Sequence, residues 1–178
     1  MRDFSTLSER MSNQAVVELL NRYFLVLAEA VMRHGGDVLK FIGDGMLAVF
    51  PLADFDSPQK AARAASTAAR EAVEDLDALN RAMAQTADWE RLQSGIGLHL
   101  GEVFFGNVGA AQRLDFTVVG DAVNTASRIE GLCKVLKRDV LMSASVASLI
   151  DEGIENLGAQ SLKGLRKTEQ VFSLSRDV

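Results

Sequence analysis

The sequence predicts an α+β domain, with helices laid over one face of a mainly antiparallel sheet. Two observations carry that prediction. Apolar residues recur at helical spacing across two long stretches, whereas short apolar and β-branched runs broken by Gly and Asp fill most of the remainder. No linker, internal repeat or low-complexity segment interrupts the order, and 178 residues suffice for one domain with a sizeable core.

Taken in order, Ser12 or Asn13 caps a helix running to about His34. Its apolar face is Val16, Leu19, Leu20, Tyr23, Leu27 and Val31. A β-hairpin follows over Asp37–Phe50, where two apolar runs flank Gly43-Asp44-Gly45 and Asp-Gly is a strong turn signal. Pro58 opens an Ala-rich helix to about Met83, in which Ala alternates with Arg and Glu as on a solvated face. Residues 84–93 form a polar connection around Trp89. Strands are expected at about 94–101, 102–108 and 114–119, followed by a helix carrying Asn124. The tail reads as a strand near 139–142, a helix over 143–150, and strands near 157–162 and 169–175.

Composition narrows the function. A net charge of −5 argues against broad binding to a nucleic-acid backbone. The longest apolar runs fall far short of the ~20 residues that cross a bilayer, and no signal peptide is visible. The domain is therefore expected to make no membrane contact. The single cysteine, Cys133, permits no internal disulfide and suits a reducing cytoplasm. It reads as a small apolar filler on its helix.

Two stretches carry chemistry. In Phe116-Thr-Val-Val-Gly-Asp-Ala-Val-Asn-Thr-Ala-Ser-Arg128, a β-branched run stops at Gly120-Asp121 and becomes a helical pattern. Asn124 and Arg128, four apart, then share one helix face. An amide beside a fork-shaped guanidinium suits phosphate oxygens on which charge builds. A polar helix face with a surface Arg would read the same way. In Asp37-Val-Leu-Lys-Phe-Ile-Gly-Asp-Gly-Met-Leu-Ala-Val-Phe50, the turn lifts the Asp44 carboxylate to the end of the sheet, where an oxygen ligand can take Mg²⁺. Asp44 also fits a turn simply by tolerating unusual backbone. Lys40 interrupts an apolar strand and must be paired or meet a ligand.

Together these stretches resemble the catalytic domain of class III nucleotide cyclases, the adenylate/guanylate cyclase family. The resemblance starts at Met1 and runs nearly to the end of the chain. It takes in Arg2-Asp-Phe-Ser-Thr-Leu-Ser-Glu-Arg10, Leu19-Leu-Asn-Arg-Tyr-Phe24, His34-Gly-Gly and Lys40-Phe-Ile-Gly-Asp-Gly45. It continues through Gly95-Ile-Gly-Leu-His-Leu-Gly-Glu102, Gly106-Asn-Val-Gly109, Leu162-Lys-Gly164 and Val171-Phe172. The resemblance implies one catalytic domain over residues 1–178 with a ferredoxin-like βαββαβ core. It further implies ATP cyclised to 3′,5′-cyclic AMP and pyrophosphate with two Mg²⁺ or Mn²⁺ ions. In the same terms, Asp44 and the backbone of Met1 hold metal, and Lys40 and Thr117 read the purine. Asn124 orients the ribose, Arg128 meets the transition-state phosphate, and Lys163 grips the terminal phosphates. Lys40 with Thr117 favours adenine, since guanylate cyclases typically place Glu and Cys there. No histidine is needed, so His34 and His99 read as structural. A homodimer is implied, with each site composed from two copies. Residues Val103–Val108, with the Ala110–Arg113 turn, form a candidate arm toward the partner. An upstream sensor or regulatory domain belongs to the same expectation.

One departure stands out. The family's first strand ends in a metal-binding Asp within a pattern similar to Asp-x-Arg-Gly-Phe-Thr; here x is Met1, and Asp3 stands where Gly is usual. That Asp and its strand would precede residue 1. The sequence is therefore expected to be a truncated cyclase domain lacking its N-terminal strand, folded but catalytically dead as it stands. Two alternatives remain at this point: a cyclase-like domain that has lost catalysis and serves as a dimerisation or nucleotide-binding module, and a diguanylate cyclase. Gly35-Gly-Asp37 hints at the latter, although the hairpin turn belongs to Gly43-Asp44-Gly45.

Overall fold

Ser12 starts the first long helix as expected: its hydroxyl accepts from the Ala15 amide at 3.3 Å, and α2 runs over Asn13–Arg33. A five-residue helix not legible in the sequence, α1 (Phe4–Ser8), precedes it. The computed structural model describes the chain except residues 87–88, 111–112, 152, 163–167 and 175–178; at 108–110 and 113–116 only the backbone is described. The chain divides into two compact units, Met1–Ser94 and Gly95–Val178.

In the first unit, α2 buries Leu19, Tyr23, Leu27, Ala30 and Val31, leaving Val16 and Leu20 half-covered. Its partner α3 (Pro58–Met83) starts with the Ser57 hydroxyl accepting from the Lys60 amide at 3.2 Å. Small side chains let the helices approach: Ala61, Ala62, Ala68, Ala69 and Ala72 are all buried. Asn80 near the end of α3 treats Leu92 as a strand would. Its amide nitrogen donates to the Leu92 carbonyl at 2.8 Å, and its oxygen accepts from the Leu92 amide at 2.8 Å. The Tyr23 hydroxyl pairs with Ser94 Oγ at 2.8 Å, satisfying two buried polar groups. The predicted hairpin is β1 (Asp37–Ile42) against β2 (Gly45–Val49), with an irregularity between Val38 and Lys40.

In the second unit, a four-stranded sheet has the order β3-β6-β8-β7. Its strands are β3 (Ile96–Leu98), β6 (Val140–Ser143), β7 (Ile154–Ser161) and β8 (Thr168–Leu174). β3 and β6 are parallel and the other pairs antiparallel. α4 (Asp121–Leu136) packs on β3 and β6. Ile129 and Cys133 of α4 join Leu141, Leu162 and Val171 in the core, each large aliphatic side chain contributing ~1.5–3 kcal/mol on burial. Cys133 is the apolar filler expected, its thiol donating to the Ile96 carbonyl at 3.5 Å. A second hairpin, β4 (Phe104–Ala110) with β5 (Arg113–Val119), forms its own sheet. The short α5 (Ala144–Ala147) covers half of the helix expected over 143–150. The strand expected over 94–101 contracts to three residues, and its neighbour begins two residues later than expected.

Candidate functional site

The β1–β2 turn is a two-residue loop, because Ile42 pairs with Gly45. Gly43 takes the left-handed conformation, φ +60°, whereas Asp44 is not among the positive-φ residues. A Gly at the first central position marks the type II′ pattern, so the loop is Gly43-Asp44 and not Asp44-Gly45. The unusual backbone falls on the glycine. Tolerance of left-handed backbone is therefore not what places an Asp at 44.

The backbone nitrogen of Met1 lies 3.0 Å from Asp44 Oδ2 and 3.0 Å from the Asp44 carbonyl oxygen. Two oxygens of one residue thus converge on one point, and hard oxygen donors are the type that Mg²⁺ accepts. Met1 reaches Asp44 through nitrogen. Among the described residues, no group of three or more His, Cys, Asp or Glu could hold a metal ion. The donor chemistry at Asp44 fits a divalent ion as a single carboxylate ligand. Lys40 lies on β1, half-buried, immediately after the ladder irregularity. Bulges of this kind re-aim side chains. Beside it Phe41 stacks on Phe24 with centroids 4.5 Å apart.

In the second unit, Thr117 sits buried on β5 opposite Gly106. Three residues on, Gly120 turns the strand into α4; a Cβ there would come 2.9 Å from the Glu102 carbonyl oxygen. Asn124 and Arg128 are both exposed, on the side of α4 away from Ile129 and Cys133. Among the described residues, no hydrogen bond or ion pair engages either side chain. Three other arginines are engaged, Arg33 by Glu71 and Asp75, Arg91 by Asp77 and Arg138 by Glu155, whereas Arg10 and Arg81 resemble Arg128 among the described residues. Asp44 and Lys40 thus share one hairpin of the first unit, and Thr117, Asn124 and Arg128 share a strand–helix segment of the second. Lys163 lies outside the described residues.

Both histidines are held as structural groups. His34 Nε2 lies 3.0 Å from Glu71 Oε2. His99 anchors a hydroxyl chain: Nδ1 is 2.8 Å from Ser143 Oγ, and Ser143 Oγ is 2.8 Å from Ser145 Oγ. Ser145 donates to the Leu100 carbonyl at 3.1 Å, so it accepts from Ser143, and Ser143 accepts from His99. Proton counting therefore places the hydrogen on Nδ1. Burial lowers the His99 pKa, opposed by the charge of Glu169. This chain was invisible in sequence, because its members lie 44 residues apart.

The family model described as the adenylate and guanylate cyclase catalytic domain matches residues 1–176. The chain is 35% identical over 177 residues to adenylate cyclase 1 of Rhizobium meliloti (strain 1021), covering 97% of this chain but 26% of that protein. It superposes on the adenylyl cyclase CyaB from P. aeruginosa with a TM-score of 0.87, at 27% identity over 99% of this chain and 90% of that one. It also resembles a non-canonical dimeric guanylyl cyclase domain of a fusion protein from the aquatic fungus Blastocladiella emersonii. There the TM-score is 0.76 and the identity 25%, over 99% of this chain and 92% of that one.

Proposed function

The chain belongs to the adenylate and guanylate cyclase catalytic domain family, and from that premise we propose that, within a protein that supplies the family's first metal-binding Asp, it converts ATP to 3′,5′-cyclic AMP and pyrophosphate at sites shared between two copies. One observation carries this reading: Asn124 and Arg128 share an exposed helix face, and among the described residues nothing engages them.

In this reading the ribose 3′-oxygen attacks the α-phosphorus, the bond to the bridging oxygen breaks, and pyrophosphate leaves with that electron pair. Asn124 orients the ribose, and Arg128 donates to the phosphate oxygens as charge builds. Lys40 donates to an adenine ring nitrogen, Thr117 accepts from the exocyclic amine, and Lys163 holds the terminal phosphates. Asp44 would hold divalent metal, Mg²⁺ or Mn²⁺, whose chemistry is to lower the hydroxyl pKa and neutralise phosphate charge. The two halves come from different copies, Asp44 from one and the Lys40, Thr117, Asn124 and Arg128 set from the other. Exposed aromatics on β4 suit that assembly: Phe104 is 75% and Phe105 49% exposed. The wider proposal is a cytoplasmic domain governed by a sensor elsewhere in a longer protein. Among the described residues no helix is long and apolar enough to cross a membrane.

The single carboxylate at the turn favours a second reading, a nucleotide-binding or dimerisation module without turnover. Assay of the full-length protein with ATP or GTP and Mg²⁺ or Mn²⁺ separates the two. Cyclic AMP formed in preference to cyclic GMP supports the first. Nucleotide binding with no cyclic product supports the second.

A further inference from the structure

We infer that the contact between Gly101 and Ala122 sets the standoff of α4 from the β3 segment and so places Asn124 and Arg128, which makes Gly101 a positioning residue. α4 lies along a track of glycines. A Cβ on Gly97 would come 2.4 Å from the Ala126 carbonyl oxygen and 2.5 Å from the Glu130 amide. A Cβ on Gly101 would come 2.8 Å from Ala122 Cβ. Ala122, Ala126 and Glu130 are four apart and share one face of the helix. Asn124 and Arg128, each two positions further on, project from the other side. The face that touches the glycines therefore fixes the height of the face that carries the amide and guanidinium.

The two contacts differ in a useful way. At Gly97 the obstacle is helix backbone, which no side-chain change removes. At Gly101 it is one methyl group, in the same first turn as Asn124. Carbon atoms pack at ~3.5–4.0 Å, so a methyl on residue 101 must lift that turn by about 1 Å. The edge of His99, 3.2 Å from the same Cβ position, needs to give by only a few tenths of an ångström. A displacement of ~1 Å in a catalytic group costs about 100-fold in rate. Removing the methyl of Ala122 should return the turn to its place.

The inference rests on the cyclase reading for its kinetic consequence, not for its geometry. The test uses the full-length protein with Gly101→Ala, Ala122→Gly and the double variant. Gly131→Ala on the same helix is the control, since a Cβ there meets nothing within 4 Å. Steady-state kinetics, thermal melting and a crystal structure of each are measured. Gly101→Ala is expected to lower kcat by about 100-fold with KM little changed and cooperative melting retained. The double variant is expected to recover most of the loss, and Gly131→Ala to behave as the unmodified protein. Unchanged kcat in Gly101→Ala, or a loss that the double variant leaves in place, overturns the inference. Should Gly101→Ala fail to fold, a folded and active double variant supports it, and a double that also fails overturns it. If the unmodified protein turns over neither nucleotide, the cyclase reading has failed separately. The crystal structures then decide: α4 lifted by Gly101→Ala and returned in the double supports the inference, and α4 unmoved sinks it.

Discussion

The two hairpins of this chain are built for opposite ends. β1–β2 is short, closes on a two-residue turn, carries an irregularity beside Lys40, and sets the Asp44 carboxylate at that turn. β4–β5 pairs seven residues a side without a register shift and presents Phe104, Phe105 and Val119 to the outside. The first concentrates charge where the backbone is most constrained. The second spends its length on apolar surface that a lone copy leaves uncovered. A charged tip needs precision, and a docking surface needs reach.

The sharpest way to break that comparison is at the charged positions. Asp44→Ala and Arg128→Ala should each lower cyclic AMP formation by at least ~10²–10³-fold in the full-length protein. Mixing the two inactive proteins should restore about a quarter of wild-type sites, because one site of each mixed dimer carries both lesions and the other neither. Background activity in a mixture shown by mass spectrometry to have exchanged protomers would defeat the shared-site scheme.

The apolar hairpin should fail differently. Phe104→Ser with Phe105→Ser removes two side chains each worth ~1.5–3 kcal/mol when buried. Activity should fall on dilution and recover at high concentration, with sedimentation velocity showing the shift from dimer to monomer. A double variant that stays dimeric at all concentrations would assign the interface elsewhere.

Substrate choice is a smaller effect. Lys40→Glu with Thr117→Cys should erode the preference for ATP by roughly 1–3 kcal/mol for each lost polar match. Equal turnover of ATP and GTP by the unmodified protein would remove the base-reading role of both residues.

The turn itself gives a modest, purely conformational change. Gly43→Ala places a methyl in open space but in the left-handed region, which costs roughly 1–2 kcal/mol. Urea unfolding should show that loss, and an unchanged midpoint would mean the turn relaxes freely.

The smallest effect expected is a pH dependence away from both hairpins. Burial favours neutral His99, so its folded pKa lies below the ordinary ~6.5. The unfolded chain then binds more protons, and stability rises with pH through that window. The contribution is complete above the unfolded pKa and is lost as pH falls toward the folded one. His99→Asn keeps a donor near Ser143 and should flatten this part of the thermal-stability profile. An equally steep slope in the variant would assign the effect to another group.

The sequence made the long helices and the hairpin positions legible, because helical periodicity in α2 and the capping serines at 12 and 57 act locally. α1 was not legible, since five residues with no buried side chain leave no period to read. The parallel pairing of β3 with β6 joins residues 44 apart, a choice made by packing under α4. The turn was legible as Gly43-Asp44-Gly45, but not which two of those residues form the loop, because only the pairing of Ile42 with Gly45 and the backbone angle of Gly43 decide it. Among the site residues, the identities of Asp44, Asn124 and Arg128 were readable as motif. The freedom of Asn124 and Arg128 from partners among the described residues was not, because it depends on where every other charge goes.

The bond pair between Asn80 and Leu92 has a consequence for how this chain tolerates change in length. By fixing both backbone atoms of Leu92 from the end of α3, it sets where residues 92–94 start, whatever the connecting chain does. Extra residues between Ala84 and Arg91 would then add only the slowly growing closure entropy of a longer loop, about 0.6 kcal/mol for each doubling. An inserted tag or small domain at that connection should leave α2, α3 and the segment leading into β3 undisturbed, whereas the same insertion in an Asn80→Ala protein should not be tolerated.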